Sequence, residues 1–332
     1  MQQGFWNVGI RKRMKATLRA SAAVAAVALA FTAAPLTGYA VRIEPVAQEG
    51  VTSNIFGSAG NQSEFYRQIS QTITQGQESL TITLDQPVSD QEEFIELCRQ
   101  AVYQARRDYP ESFLSNHTEF VYYYNESGYY QVTFSFRYLD LTGEQKQAMF
   151  NEVDSIVAQA RAQTGGDTVG MLRYFQQALC ERAEYDFAAA RSDSDHYPNS
   201  YHAYGALMEG KSVCQGYAYA FKLLCDRAQI PCWIVTGTYG DEPHAWNYVW
   251  VNNNYYLVDV TWDDANNRPA DSAFFLAGRD HAANYHVEDN CAPGTLAARS
   301  YSEGGTAVIR RARQQTNQEE SSSRTLAGAA KG

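Results

Sequence analysis

Apolar positions recur every second residue in Leu80-Thr81-Ile82-Thr83-Leu84. From Phe94 they recur every third or fourth residue through Ile95, Leu97, Cys98, Ala101 and Val102. This change of period predicts a strand followed by a helix that Ser89-Asp90 caps and that runs to about Asp108. Two runs of β-formers, Phe120–Tyr124 and Tyr129–Tyr138, flank Asn125-Glu126-Ser127-Gly128 and read as a hairpin. Thr142 caps a further helix over about 143–162. Residues 63–160 therefore read as a small α/β domain of strand, helix, hairpin and helix, preceded by a polar Gly/Ser/Asn-rich linker over 41–62.

A second unit, 161–302, follows the break at Thr164-Gly165-Gly166. Asp167 caps a helix through about Glu184, and 188–200 is polar and loop-like. After Gly210 a helical pattern runs to about Gln229, ahead of Ile230-Pro231. Three strands are then expected: Cys232–Thr238, His244–Val251 and Tyr255–Thr261, the last two joined at Asn252-Asn253-Asn254. Beyond Tyr301 the composition is rich in Gly, Ser, Gln, Glu and Arg, so 303–332 reads as a disordered tail.

The first 40 residues have the order of a secretory signal peptide. Arg11, Lys12, Arg13 and Lys15 precede an apolar run from Ala20 to Leu36, and Gly38-Tyr39-Ala40 offers a cleavage point. The expected location is secreted or extracellular, at or near a cell surface, with no membrane span once the signal is removed. The formal charge of the chain is −10, and removing the five basic residues of 1–40 leaves −15. So acidic a chain argues against nucleic acid and against anionic membranes as partners.

Six cysteines are present, and none stands in CxxC spacing. No glycine-rich phosphate loop is visible either, so neither a metal nor a cofactor is expected. One cysteine has a chemical context. Cys214 falls in the first turn of the helix after Gly210, where unpaired backbone N–H groups and the helix dipole favour a thiolate and can hold an oxyanion. A buried core cysteine is the commoner fate of a lone Cys.

The hairpin downstream changes that weighting. With Asn252-Asn253 as a two-residue type I′ turn, Val251 faces Asn254. Counting outward puts His244 opposite Thr261 and Trp246 opposite Asp259. Asp259 is then the diagonal neighbour of His244 on the same face, roughly 7 Å away between backbone positions. A one-residue slip would send it to the other face. A thiolate nucleophile, an imidazole to move its proton and a carboxylate to orient the imidazole make a Cys214–His244–Asp259 triad.

The segments GKSVCQGYAYAF (210–221), HAWNYVWVNNNYYLVDVTWDD (244–264) and FFLAGRDHAANYH (274–286) resemble bacterial members of the transglutaminase-like superfamily. The superfamily joins transglutaminases, arylamine N-acetyltransferases, peptide N-glycanases and related cysteine proteases. The resemblance spans about 165–302. It implies an α+β, papain-related core in which the cysteine helix packs on an antiparallel sheet, with Cys214 as nucleophile, His244 as base and Asp259 as its orienter. It also implies an upstream side chain completing an oxyanion hole, for which Tyr185, His202 and Tyr204 are the candidates. Asp263-Asp264 reads as a solvated turn after a strand, and no calcium cluster of the animal transglutaminase kind is evident.

The function implied is acyl-thioester chemistry on a peptide or isopeptide amide of a protein or peptide substrate, with cell-wall peptides included. Water as acceptor makes a protease or amidase, and an amine makes a transglutaminase. The competing readings are a non-catalytic module of the same fold binding cell-wall or surface-protein ligands and, more weakly, an acetyltransferase with a thioester donor.

Overall fold

The structure is a computed structural model that describes residues 38–43, 59–192, 194–265, 274–288 and 291–302. The basic and apolar leader through 37 and the tail over 303–332 lie outside the described residues.

The N-terminal unit begins with β1 (Gly38–Ile43), α1 (Ala59–Thr74), β2 (Ser79–Val88) and α2 (Gln91–Asp108). It continues with β3 (Leu114–Asn125) and β4 (Gly128–Tyr138). Its four strands form an antiparallel sheet in the order β1-β3-β4-β2. Asp90 caps α2 as expected, its side chain accepting from the Glu93 N–H at 2.8 Å. Phe65, Ile69 and Ile73 of α1 and Phe94, Cys98 and Val102 of α2 pack on Ile82, Phe120, Val132 and Phe134 of the sheet. Large side chains of this kind contribute roughly 1.5–3 kcal/mol each by leaving water.

Two expectations for this half are revised. The 41–62 linker is structured at both ends, because β1 pairs with β3 through Ile43 and α1 already begins at Ala59. The helix α1 was not foreseen. Its sequence is so polar that its apolar residues reveal a face only once α2 and β2 lie against it.

The second half comprises α3 (Gly143–Thr164), α4 (Thr168–Arg182), β5 (Glu184–Tyr185), α5 (Phe187–Ala190), β6 (Lys211–Ser212) and α6 (Cys214–Ala228). Then come β7 (Cys232–Tyr239), β8 (Glu242–Val251), β9 (Asn254–Val258), α7 (Val260–Ala265), β10 (Phe275–Ala277) and β11 (Tyr285–Val287). Thr142 caps α3 in a capping box with Gln145, and Asp167 caps α4. The strand order β10-β9-β8-β7-β11 is antiparallel throughout, and β5 pairs with β6 in parallel.

Helix α6 is buried along most of its length, with Tyr217, Ala220, Phe221 and Leu224 in one core with α3, α4 and the sheet. Asn247 of β8 ties helix to sheet, donating from Nδ2 to Ala218 O at 3.0 Å. The sequence grouped α3 with the N-terminal unit, yet Met149, Val153, Ile156 and Val157 lie in the core of α6. Phe113 and Leu139 reach into that core from the N-terminal side. This is an α+β fold with a cysteine helix on an antiparallel sheet. Among the described residues, no helix is long and apolar enough to cross a membrane.

Candidate active site

Cys214 is the first residue of α6, as its position after Gly210 indicated. Val213 precedes it in extended conformation, and no side chain caps the helix. The first-turn N–H groups are thus left to whatever lies in front of the sulfur. Gly216, two residues on, permits the close approach that sets this start. A Cβ there would come within 2.6 Å of Ser200 O and 2.8 Å of His202 O, besides striking Ser212 Oγ.

The His–Asp hairpin forms in the register drawn from its turn. Val251 pairs with Asn254 and Asn247 with Val258, while Asn252 and Asn253 take φ of 48° and 63°, as a type I′ turn requires. The strand ends earlier than expected. Thr261 lies in α7, and Asp259 stands at the junction between β9 and that helix. Its backbone N–H donates to Phe274 O at 2.9 Å, and its Oδ1 accepts from the Trp262 N–H at 3.3 Å. A carboxylate held this way caps α7 with one oxygen and turns the other toward the histidine.

That other oxygen, Oδ2, lies 2.6 Å from His244 Nε2. With Nε2 engaged, Nδ1 is the ring nitrogen available to sulfur, and the neighbouring Cys214 side chain adds to the upward pull on the imidazole pKa. Burial by itself would lower the imidazole pKa. The charge and hydrogen bond of Asp259, with help from Cys214, outweigh it and raise the value to about 10. His244 is therefore protonated at neutral pH beside the thiol. The rings of Trp246, Trp262, Tyr239 and Tyr285 lie 5.9–6.4 Å from the imidazole and shield it from water.

The three upstream candidates separate clearly. Tyr185 is brought beside the cysteine because β5 pairs with β6, Tyr185 opposite Ser212. Its hydroxyl pKa is raised by burial first and by the charge of Cys214 next. His202 is a packing residue: its Nε2 donates to Pro110 O at 2.8 Å, and its Nδ1 accepts from the Tyr204 N–H at 3.2 Å. Burial lowers its pKa to about 4, so the ring is neutral. Tyr204 is buried in the main core.

Tyr285 escaped the sequence reading. It donates its hydroxyl to Asp259 Oδ2 at 2.8 Å, and only the pairing of β11 with β7 brings it there. Its flanking histidines are peripheral. His286 is exposed on the opposite side of β11, and His281 is exposed beside Ser300 and Asp280. The solvated-turn reading of Asp263-Asp264 is overturned, since both lie in α7. Asp264 accepts from the Tyr217 hydroxyl at 2.5 Å. Asp263 is buried, and burial followed by the charge of Asp259 pushes its carboxyl up to about 8. A second negative charge therefore does not accumulate at the site. All six cysteines are free thiols. Among the described residues, no group of three or more His, Cys, Asp or Glu side chains is placed to hold a metal ion.

Residues 155–260, which contain Cys214, His244 and Asp259, match the model of the transglutaminase-like superfamily. Kyphoscoliosis peptidase from Homo sapiens is 31% identical over a stretch covering 25% of this chain, and its Mus musculus counterpart is 30% identical over the same share. The chain spans only 14% of the length of either relative. Among solved structures, a TGase aligns at 14% identity with a TM-score of 0.31, covering 55% of this chain and 50% of its own. A candidate cysteine protease from Cytophaga hutchinsonii aligns at 15% identity with a TM-score of 0.28, covering 57% and 75%. Residues 155–260 carry a transglutaminase-like domain.

Proposed function

We propose that the chain is a thiol enzyme that carries an acyl group on Cys214 and acts on peptide or isopeptide amides. One observation carries this reading: a buried imidazole engaged by a carboxylate at 2.6 Å, with a helix-start thiol near enough to influence its protonation. The thiolate attacks the amide carbonyl carbon, and the oxyanion formed lies before the uncapped first turn of α6, with the Tyr185 hydroxyl as a further donor. Collapse breaks the C–N bond, the amine leaves with the proton of the His244 imidazolium, and a thioester remains. Neutral His244 then takes a proton from water or from an acceptor amine, which attacks the thioester and frees the thiolate.

The basic and apolar leader over 11–36 and the acidic remainder support secretion and a protein or peptide substrate outside the cell, including one held at a cell wall. The test is a peptide-library screen with a labelled primary amine present, run on the wild type and on Cys214→Ala. Peptide cleavage marks a hydrolase, and amine incorporation marks a transglutaminase. Loss of either in the variant supports the reading. A wild-type protein that binds peptides without turning any over overturns it in favour of a binding module.

A further inference from the structure

The segment between α2 and β3 crosses from the N-terminal unit onto the nucleophile helix, and it is fixed there by several independent contacts. Pro110 O accepts from His202 Nε2 at 2.8 Å, and the Phe113 ring stacks on His202 with centroids 5.4 Å apart. Phe113 itself has φ of 60°, a left-handed conformation that a bulky residue adopts only under constraint. Its ring is buried in the core of α6, which supplies that constraint.

Three residues further on, Asn116 meets Gln215, the residue directly after the nucleophile. Gln215 Nε2 donates to Asn116 Oδ1 at 2.9 Å and to Tyr201 O at 2.8 Å, so both of its protons are used. Asn116 Nδ2 donates back to Gln215 Oε1 at 3.2 Å. Asn116 is buried, so this reciprocal amide pair is largely shielded from competing water. Gln215 is the second residue of α6, and holding its side chain from two sides sets the rotation of the turn that aims Cys214.

We infer that Asn116 is a positioning residue for Cys214, and that the N-terminal unit is a standing part of the catalytic apparatus rather than a removable pro-segment. Gln215 is the relay between them. The inference rests on Cys214 being the nucleophile, and it deepens that reading by assigning a task to residues outside the transglutaminase-like domain. Arg107 offers an internal control. It also joins the two units, donating from Nη1 to Thr236 Oγ1 at 3.1 Å, but it bonds to β7 and not to α6.

The experiment is alkylation of Cys214 in the full chain by iodoacetamide, followed by mass spectrometry across pH. It compares wild type, Asn116→Ala, Arg107→Ala and the exchange variant carrying Asn116→Gln with Gln215→Asn. Asn116→Ala is expected to slow alkylation roughly ten-fold at pH 7, in line with the sensitivity of such sites to small misplacements. It is also expected to move the pH profile. Arg107→Ala should match the wild type, and the exchange variant should recover most of the rate. Wild-type reactivity in Asn116→Ala overturns the positioning role, as does an Arg107→Ala protein slowed just as much. A wild-type Cys214 no more reactive than a free thiol overturns instead the nucleophile assignment beneath it.

Discussion

Tyr285 donates its hydroxyl, at 2.8 Å, to the same oxygen of Asp259 that faces His244 at 2.6 Å. The carboxylate is thus fixed by donors from two strands that are not neighbours in the sheet, β8 and β11. A hydrogen bond to a charged acceptor in a buried site is worth roughly 1.5–3 kcal/mol. Tyr285→Phe removes the donor while preserving the ring that packs on Trp246 and Tyr239. Thermal unfolding should show a loss of about that size. Cys214 alkylation should slow several-fold, because Asp259 then holds the imidazole in a broader range of orientations.

Asp259→Asn should have a larger effect. With the charge gone, burial dominates, and the His244 pKa is expected to fall from about 10 to below its ordinary value of 6.5. Titration of the ring by NMR measures this directly. The imidazolium beside the sulfur at neutral pH should be lost with it, lowering alkylation at pH 7 by roughly a hundred-fold or more.

The raised His244 pKa also predicts how stability depends on alkaline pH. A group protonated more readily in the folded than in the unfolded chain stabilises the fold fully below pH 6.5. That contribution is lost as pH rises to about 10. Denaturant unfolding of the wild type should weaken over that window, and Asp259→Asn should weaken far less.

His202 gives the opposite sign on the acid side. Its folded pKa of about 4 lies below the unfolded value, so the stability it contributes is present above pH 6.5 and drains away as pH falls toward 4. The shift corresponds to roughly 3 kcal/mol. Unfolding of His202→Gln should be less stable at pH 7, through lost stacking on Phe113, yet flatter between pH 6.5 and 4 than the wild type.

Gly216→Ala tests the seating of α6. Alanine is the better helix former by up to about 1 kcal/mol. The added methyl, however, would meet Ser200 O and His202 O at 2.6 and 2.8 Å, both of them backbone atoms that cannot swing aside. A net loss of about 1–3 kcal/mol is expected from thermal melts, with slowed alkylation of Cys214 because the first turn is displaced.

The sequence by itself was enough wherever one short stretch contains both the signal and its consequence. Asn252 and Asn253 tolerate positive φ, so the turn type set the register, and the register placed Asp259 on the His244 side of the hairpin. Gly210 followed by an apolar helical pattern put Cys214 at a helix start, and Asp90, Thr142 and Asp167 announced their helices as caps. What the tertiary structure decided are relations between distant segments. Tyr285 reaches Asp259 across 26 positions and Asn116 reaches Gln215 across 99. Tyr185 stands near the cysteine only because β5 runs beside β6. Asp259 became a helix cap because the strand stops at Val258, a boundary set by the packing of α7 on α4 and α6. Backbone preference acts over a few residues and is written locally. Side-chain convergence depends on how sheets and helices stack, and that is settled by burial summed over the whole chain.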